Sequence, residues 1–278
     1  MQTDQFQLHA DIEQDHWWFV ARRQIVQQLI GQILPPAADA LIIDVGCGTG
    51  GNIAGLADGY PCLGIDTSAE AVALAERRFP QVPFVCGFAP QDLGTKIEQA
   101  RLVLLMDVLE HVPDDFAVLS ALLAAARPGT HFLLTVPADD ALWGEHDRSF
   151  GHYRRYDRQR LEMLWAGLPV TPRLVSYFNS RLYWLIRLIR ERNRLRGEAA
   201  GRAGTDFWMP RPSLNRMLRS IFAGESRRLS GILAGSHHGG YRRGASLIAV
   251  LRREAGELPV RQKPPSLPAD RGAGVAPK

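Results

Sequence analysis

The chain has 278 residues, 46% of them apolar, enough to bury one substantial core with room for a small extra subdomain. Its polar, acidic start, MQTDQFQLHADIEQDHWWF, and the lack of any run near the roughly 18 apolar residues of a spanning helix point to a cytoplasmic chain, while Cys47, Cys62 and Cys86, with no CxxC pair, argue against a disulfide framework or a zinc site. The net charge of +4 hides a split, because residues 1–144 carry 7 basic and 18 acidic side chains and residues 145–261 carry 23 and 10, a contrast that suits an anionic partner for the second half.

Residues 17–34, WWFVARRQIVQQLIGQIL, space Phe19, Ile25, Leu29, Ile30 and Ile33 as a helix that stops at Pro35-Pro36, so residues 1–36 are read as an N-terminal helical segment or lid. A strand at Leu41–Val45, a helix start at Ile53–Ala57 and a strand at Cys62–Ile65 closing on Asp66 follow. Ser68 then caps a helix through Phe79. Pro83–Cys86 reads as a third strand and Leu102–Met106 as a fourth, wholly apolar as a buried parallel strand is. Phe116–Ala126 is helical, Pro128-Gly129 turns the chain, and His131–Val136 makes a fifth strand. This alternation predicts a doubly wound α/β sheet with helices on both faces. Beyond residue 145 come a helix at Arg158–Ala166, a short strand at Arg173–Ser176, an arginine-rich helical insertion over about 177–244, and a last strand at Ala245–Leu251. The domain is expected to span 37–253, and the proline- and glycine-rich residues 254–278 to form a disordered tail.

The strand-to-helix turn Asp44-Val45-Gly46-Cys47-Gly48-Thr49-Gly50 concentrates glycine where a Cβ would block both the turn and the approach of backbone amides to a ligand. Asp66 ends the next strand sixteen residues beyond Gly50, where a carboxylate can take both hydroxyls of a ribose. Read as Gly46, Gly48 and Gly51, the loop also satisfies GxGxxG, which leaves a nicotinamide or flavin enzyme open at this point. Further on lie Met106-Asp107-Val108-Leu109-Glu110-His111-Val112, then Arg127-Pro128-Gly129 and Thr135-Val136-Pro137.

In order and spacing these four motifs, over residues 41–137, resemble those of class I S-adenosyl-L-methionine-dependent methyltransferases, in particular the subgroup holding the ubiquinone-pathway O-methyltransferases. The resemblance implies a Rossmann-like, seven-stranded, mostly parallel sheet with an antiparallel last strand and a helical insertion before it. It implies S-adenosylmethionine as cofactor, with Asp44, Gly46, Gly48 and Gly50 around the methionine part, Cys47 and Asn52 in the same loop, Asp66 and Thr67 at the ribose, and Met106 and Asp107 along the other side. Where such enzymes often carry an acidic residue for the adenine, this chain has Cys86-Gly87-Phe88-Ala89, so Phe88 is the adenine candidate, with Asp92 as the alternative. Cys47 is read as a small filler of the loop, since nothing near it in sequence would activate a thiolate.

His16-Trp17-Trp18-Phe19 with Arg22-Arg23, and Glu145-His146-Asp147 with Gly151-His152-Tyr153-Arg154-Arg155-Tyr156, resemble segments of bacterial methyltransferases linked to glycan or lipid pathways. Trp17-Trp18-Phe19 is either a hydrophobic staple or a cofactor lid; His152 and Arg155 either line the acceptor pocket or form a solvated basic turn. His111, just past the fourth strand, is the candidate general base for a hydroxyl acceptor, or a cap of the next turn. Asp107, Glu110 and His111 lack a fourth ligand, so no metal is assigned.

The expected activity is methyl transfer to an unidentified small-molecule or lipid-linked acceptor, such as a hydroxyl of a lipid-linked, glycan or other anionic compound. An NAD-dependent oxidoreductase and a non-catalytic cofactor-binding protein are the rivals. A nucleic-acid acceptor is disfavoured because the D/N-P-P-Y/F run of the adenine- and amide-methylating types is replaced by Asp107-Val108-Leu109-Glu110. Between residues 181 and 196 there are six arginines and one acid. Phe178, Leu182, Leu185 and Ile189, broadened by Tyr183, Trp184 and Leu188, form an apolar stripe opposite Arg187, Arg190 and Arg194, which either meets a membrane surface peripherally or packs on the sheet edge.

Overall fold

The computed structural model describes residues 3–196, 206–237 and 239–257. The apolar runs become strands β1 (Ile42–Val45), β2 (Cys62–Asp66), β3 (Phe84–Cys86), β4 (Leu102–Met106), β5 (His131–Pro137), β6 (Val170–Phe178) and β7 (Ser246–Arg253). They form one sheet in the order β3-β2-β1-β4-β5-β7-β6. All neighbours from β3 to β5 pair in parallel, whereas β7 runs antiparallel to both β5 and β6. β1 and β4 are adjacent although the chain visits β2 and β3 between them, and the crevice where ligands settle in such sheets opens at their carboxyl ends.

Helices α1 (Thr3–Ile12) and α2 (Trp17–Ile33) precede the sheet; α3 (Gly51–Ala54), α4 (Ala69–Arg78), α5 (Lys96–Gln99) and α6 (Asp115–Ala125) connect its first five strands. α7 (Glu145–Ser149) and α8 (Arg158–Met163) lead to β6, and α9 (Tyr183–Arg196), α10 (Pro212–Ala223) and α11 (Ser226–Leu233) lie between β6 and β7. The two-residue period of β4 divides the core: Leu102, Leu104 and Met106 face a cluster with Ile25, Leu29 and Ile30 of α2 and Phe222 of α10, while Val103 and Leu105 face Phe116, Leu119 and Leu123 of α6. Both faces of β4 are thus covered, and its lack of polar residues follows.

The expected elements shift at their edges. The first short helix is Gly51–Ala54, ahead of the expected Ile53–Ala57, and β6 extends well past Arg173–Ser176. The apolar stripe expected on one helix is divided: Phe178 is the buried last residue of β6, and Leu182 and Tyr183 are also buried, so only Trp184, Leu185, Leu188 and Ile189 remain for an exposed face. Among the described residues no helix is long and apolar enough to cross a membrane. The expected tail lies, from residue 258 onward, outside the described residues.

Candidate active site

The floor of the site is the turn after β1. Asp44 is fully buried, and neither of its carboxylate oxygens finds a hydrogen-bond partner among the described residues. Burial raises its pKa to about 7; Arg22 opposes the shift and Asp66 adds to it. At Gly46 (φ +71°) a Cβ would come within 2.6 Å of Val108 Cγ2, so only glycine lets the exits of β1 and β4 approach this closely. At Gly48 (φ +53°) a Cβ would meet nothing within 4 Å, which leaves an open cradle. The Gly48 amide donates to Asp66 Oδ2 (2.8 Å) and the Ser68 amide to Asp66 Oδ1 (2.9 Å), so Asp66 ties the turn to the start of α4.

The N-terminal helices close over this turn. Glu13 packs against Gly51 where a Cβ would stand, accepts from Thr49 Oγ1 (3.0 Å) and pairs with Arg78, which also donates to the Thr49 carbonyl (2.9 Å). Arg22, stacked 4.4 Å from the Trp18 ring, forms an ion pair with Asp107. Asp107 sits at φ +58°, a conformation that non-glycine residues hold at a cost, and its Oδ1 accepts from Thr135 Oγ1 (3.1 Å). His16 caps α2 by accepting from the Trp18 amide (3.3 Å) and bonds the Trp208 backbone; burial lowers its pKa to about 4, so the ring is neutral.

The opposite wall is made of buried titratable side chains. His152 Nδ1 bonds Asp147 Oδ1 (2.9 Å), and Arg155 Nη2 pairs with the same oxygen at 2.8 Å. Burial by itself would raise the Asp147 pKa, but Arg155, the His152 hydrogen bond and Arg190 hold the carboxyl well below its usual range. The His111 and His152 rings meet edge to face with centroids 4.7 Å apart. Burial, aided by His152, pushes the His111 pKa far down, and its ring bonds the Phe150 backbone. Glu110 is fully buried with both carboxylate oxygens unpartnered among the described residues; burial, then Asp107, raises its pKa well above the usual value. Arg154 fixes the loop that presents these groups by donating to the carbonyls of Leu109 (3.0 Å), Val112 (2.6 Å) and Pro113 (2.8 Å).

Floor, lid and wall enclose a cavity of about 290 Å³. Of the residues expected from the sequence, Gly46, Cys47, Gly48, Asn52, Met106, Asp107, His111, His152 and Arg155 line it. Asp44, Gly50, Asp66, Thr67 and Phe88 do not. Gly50 is a packing glycine, since its Cβ would meet Phe84, Ala75 and Phe79 within about 3 Å. Phe88 stands 68% exposed past β3, its amide bonded to Asp92 Oδ2 (2.7 Å), so Asp92 is occupied in holding that loop. Cys47 is buried and its pKa is raised well above normal by burial, which suits a filler. His152 and Arg155 are buried, so the solvated-turn reading fails. Trp17, Trp18 and Phe19 all line the cavity.

The lining also holds Glu13, His146, Arg190 and Phe207, which sequence reasoning did not assign. Arg190 was expected on an exposed face; it turns inward instead, to Asp206 (2.8 Å) and the Leu142 carbonyl (2.5 Å). One ligand-capable atom from each of Glu110, His111 and His152 lies within 4.8 Å of the others, a spacing that can hold a metal ion. Asp107, engaged by Arg22 and Thr135, is not in that group.

A family model described as a methyltransferase domain matches residues 18–187. A trans-aconitate 2-methyltransferase of Variovorax paradoxus is 30% identical over 145 residues, 45% of this chain and 54% of that protein. The chain thus spans about half the length of the curated relatives it matches. Among solved structures, a chain of the Haloferax volcanii complex between the Trm112 methyltransferase activator and a methyltransferase has a TM-score of 0.54 at 15% identity, covering 92% of this chain and 95% of that one. The [4+2]-cyclase SpnF has a TM-score of 0.51 at 18% identity, covering 84% and 81%, so the shared fold alone does not specify the reaction.

Proposed function

The chain belongs to the class I S-adenosylmethionine-dependent methyltransferase family, and from that premise we propose that the cavity transfers a methyl group to an oxygen of a small acidic acceptor. The observation that carries this reading is the placement of a glycine cradle, beside an unpartnered buried carboxylate, across one cavity from a histidine oriented by Asp147. The residues fit the cofactor: Asp44, behind the cavity lining, has no hydrogen-bond partner among the described residues and would answer the methionine ammonium, and Gly48 leaves room for backbone approach. Asp66 and Thr67 serve the ribose, and the exposed Phe88 ring is the surface on which adenine would stack. S-adenosylmethionine, when bound, supplies an electrophilic methyl on a sulfonium.

The chain then has to align a nucleophile in line with that methyl and exclude water, effects that lower a barrier by several kcal/mol. Trp17, Trp18 and Phe19 close the cavity from the lid side. With Nδ1 engaged by Asp147, His152 has Nε2 left to take a proton. For a hydroxyl acceptor, His152 Nε2 is the atom that would take the O–H proton, with the methyl group supplied by the cofactor when bound. His111, neutral and held by the Phe150 backbone, braces the His152 ring. A carboxylate acceptor needs no base. Arg22 and Arg155 each keep a buried Nε–H with no acceptor among the described residues, donors that suit an oxygen-rich substrate. The partial match to a trans-aconitate methyltransferase agrees with such a substrate.

The test is incubation with methyl-labelled cofactor and a fractionated small-molecule extract, with trans-aconitate as one defined acceptor. Label entering an acidic small molecule supports the reading, and with a hydroxyl acceptor its loss in His152→Ala assigns the base; cofactor binding without transfer to any fraction overturns it. Because Glu110, His111 and His152 have metal-holding spacing, the assay is repeated after chelation. Unchanged turnover leaves His152 as a base, and activity restored only by a divalent cation makes it a ligand.

A further inference from the structure

Helix α9 turns Trp184, Leu185, Leu188, Ile189 and Leu195 to solvent, with Leu188 68% and Leu195 80% exposed. At the helical period Trp184, Leu188 and Leu195 fall on one stripe, with Leu185 and Ile189 beside it and exposed Arg192 between. Single exposed apolar residues need no explanation, but five on one helix face form a patch that does.

The patch is edged by arginine. The guanidinium carbons of Arg187 and Arg243 lie 5.7 and 5.5 Å from the centroid of the Trp184 ring. Arg187 Nη1 donates to the Tyr183 hydroxyl (3.1 Å), while Arg242 and Arg243 have no ion-pair partner among the described residues. All three line a second cavity of about 500 Å³, which also receives Tyr177 and Tyr183 and, on its inner side toward the 139–157 segment, Asp139, Asp140 and Asp157. At its other end the patch reaches the methyl-transfer cavity, since Ile189 and the exposed Trp208 belong to the lining of that cavity too.

We propose that this face docks on an anionic lipid bilayer. The apolar stripe of α9 enters the interface, Trp184 sits at headgroup depth, and Arg187, Arg242 and Arg243 meet lipid phosphates. The observation that selects a bilayer is the joining of unpaired arginines to an exposed Trp and Leu face in the half of the chain with 23 basic and 10 acidic side chains. Because no described helix can span a membrane, the contact is peripheral. Docking stands apart from methyl transfer, although the docking face borders the cavity at Ile189 and Trp208.

The experiment is co-sedimentation of the full chain with vesicles of phosphatidylcholine alone and of phosphatidylcholine mixed with phosphatidylglycerol. The mixed vesicles are expected to retain the protein at low ionic strength and release it at high, and the neutral ones to leave it in solution. Arg242→Ala with Arg243→Ala should lower partitioning about 10-fold or more. Leu188→Glu should abolish it, with an unchanged thermal unfolding midpoint because Leu188 touches no core. A chain that stays in the supernatant with anionic vesicles, binds both vesicle types equally, or binds as well in the Leu188→Glu variant overturns the proposal. So does a concentration-dependent dimer broken by Leu188→Glu, which would assign the face to a second copy.

Discussion

Across the cavity, the floor at residues 44–52 acts through backbone and the absence of side chains, whereas the wall at residues 107–155 acts through packed titratable groups. Gly46 and Gly48 contribute space and amides; Glu110, His111, Asp147, His152 and Arg155 contribute charge and proton acceptors set by burial. A backbone-built floor can hold a common cofactor whatever the acceptor. A wall of buried groups can be altered one side chain at a time, and it is where acceptor choice would reside.

The largest expected effect separates the two. With a hydroxyl acceptor, His152→Ala should lower turnover by about 100-fold to 10,000-fold, while calorimetry shows cofactor affinity unchanged. Asp147→Asn, which weakens the hold on the ring and also removes the buried charge facing Arg155 and Arg190, should lower turnover less and change its pH profile. An equal loss of cofactor affinity in His152→Ala would break the division between wall and floor.

On the floor side, Asp66→Ala removes the acceptor of two backbone amides as well as the proposed ribose contact. Charge-assisted hydrogen bonds of this kind are worth roughly 1.5–3 kcal/mol each, so S-adenosylhomocysteine affinity should fall by at least tenfold. Titration calorimetry that shows equal affinity would remove Asp66 from the floor. Gly46→Ala acts on the same affinity through strain of about 1–3 kcal/mol at positive φ, together with the clash on Val108. Val108→Ala in the same chain should recover part of the loss, and no recovery would mean that the close approach of β1 and β4 is not what matters.

The smallest effect is on pH. Asp44 is raised to about 7 by burial, so in the free chain its contribution favours folding while it is protonated and is lost as pH rises from the unfolded carboxyl value through about 7. A cationic ligand group reverses this by favouring the carboxylate. Affinity for S-adenosylmethionine should therefore strengthen about tenfold between about pH 6 and pH 8, with the free chain's melting temperature moving the opposite way. A flat affinity profile would separate Asp44 from the bound cofactor.

The sequence alone determined the alternation of strands and helices, the antiparallel last strand through the family resemblance, and the glycine turn with Asp66. These are local patterns: a wholly apolar five-residue strand, a cap at Ser68 and a glycine run at a strand exit each carry their reason within a few residues. The glycine floor of the cavity was legible in part for the same cause, although Gly50 looks like its neighbours in sequence and packs against Phe84 in the fold. Only tertiary structure decided that Glu13 closes over Gly51, that Arg22 reaches Asp107, and that Asp147 orients His152 beside His111. It also decided which apolar residues near α9 are buried and that Arg190 points inward, because helical periodicity groups residues on a face without saying whether that face meets the core, the cavity or water.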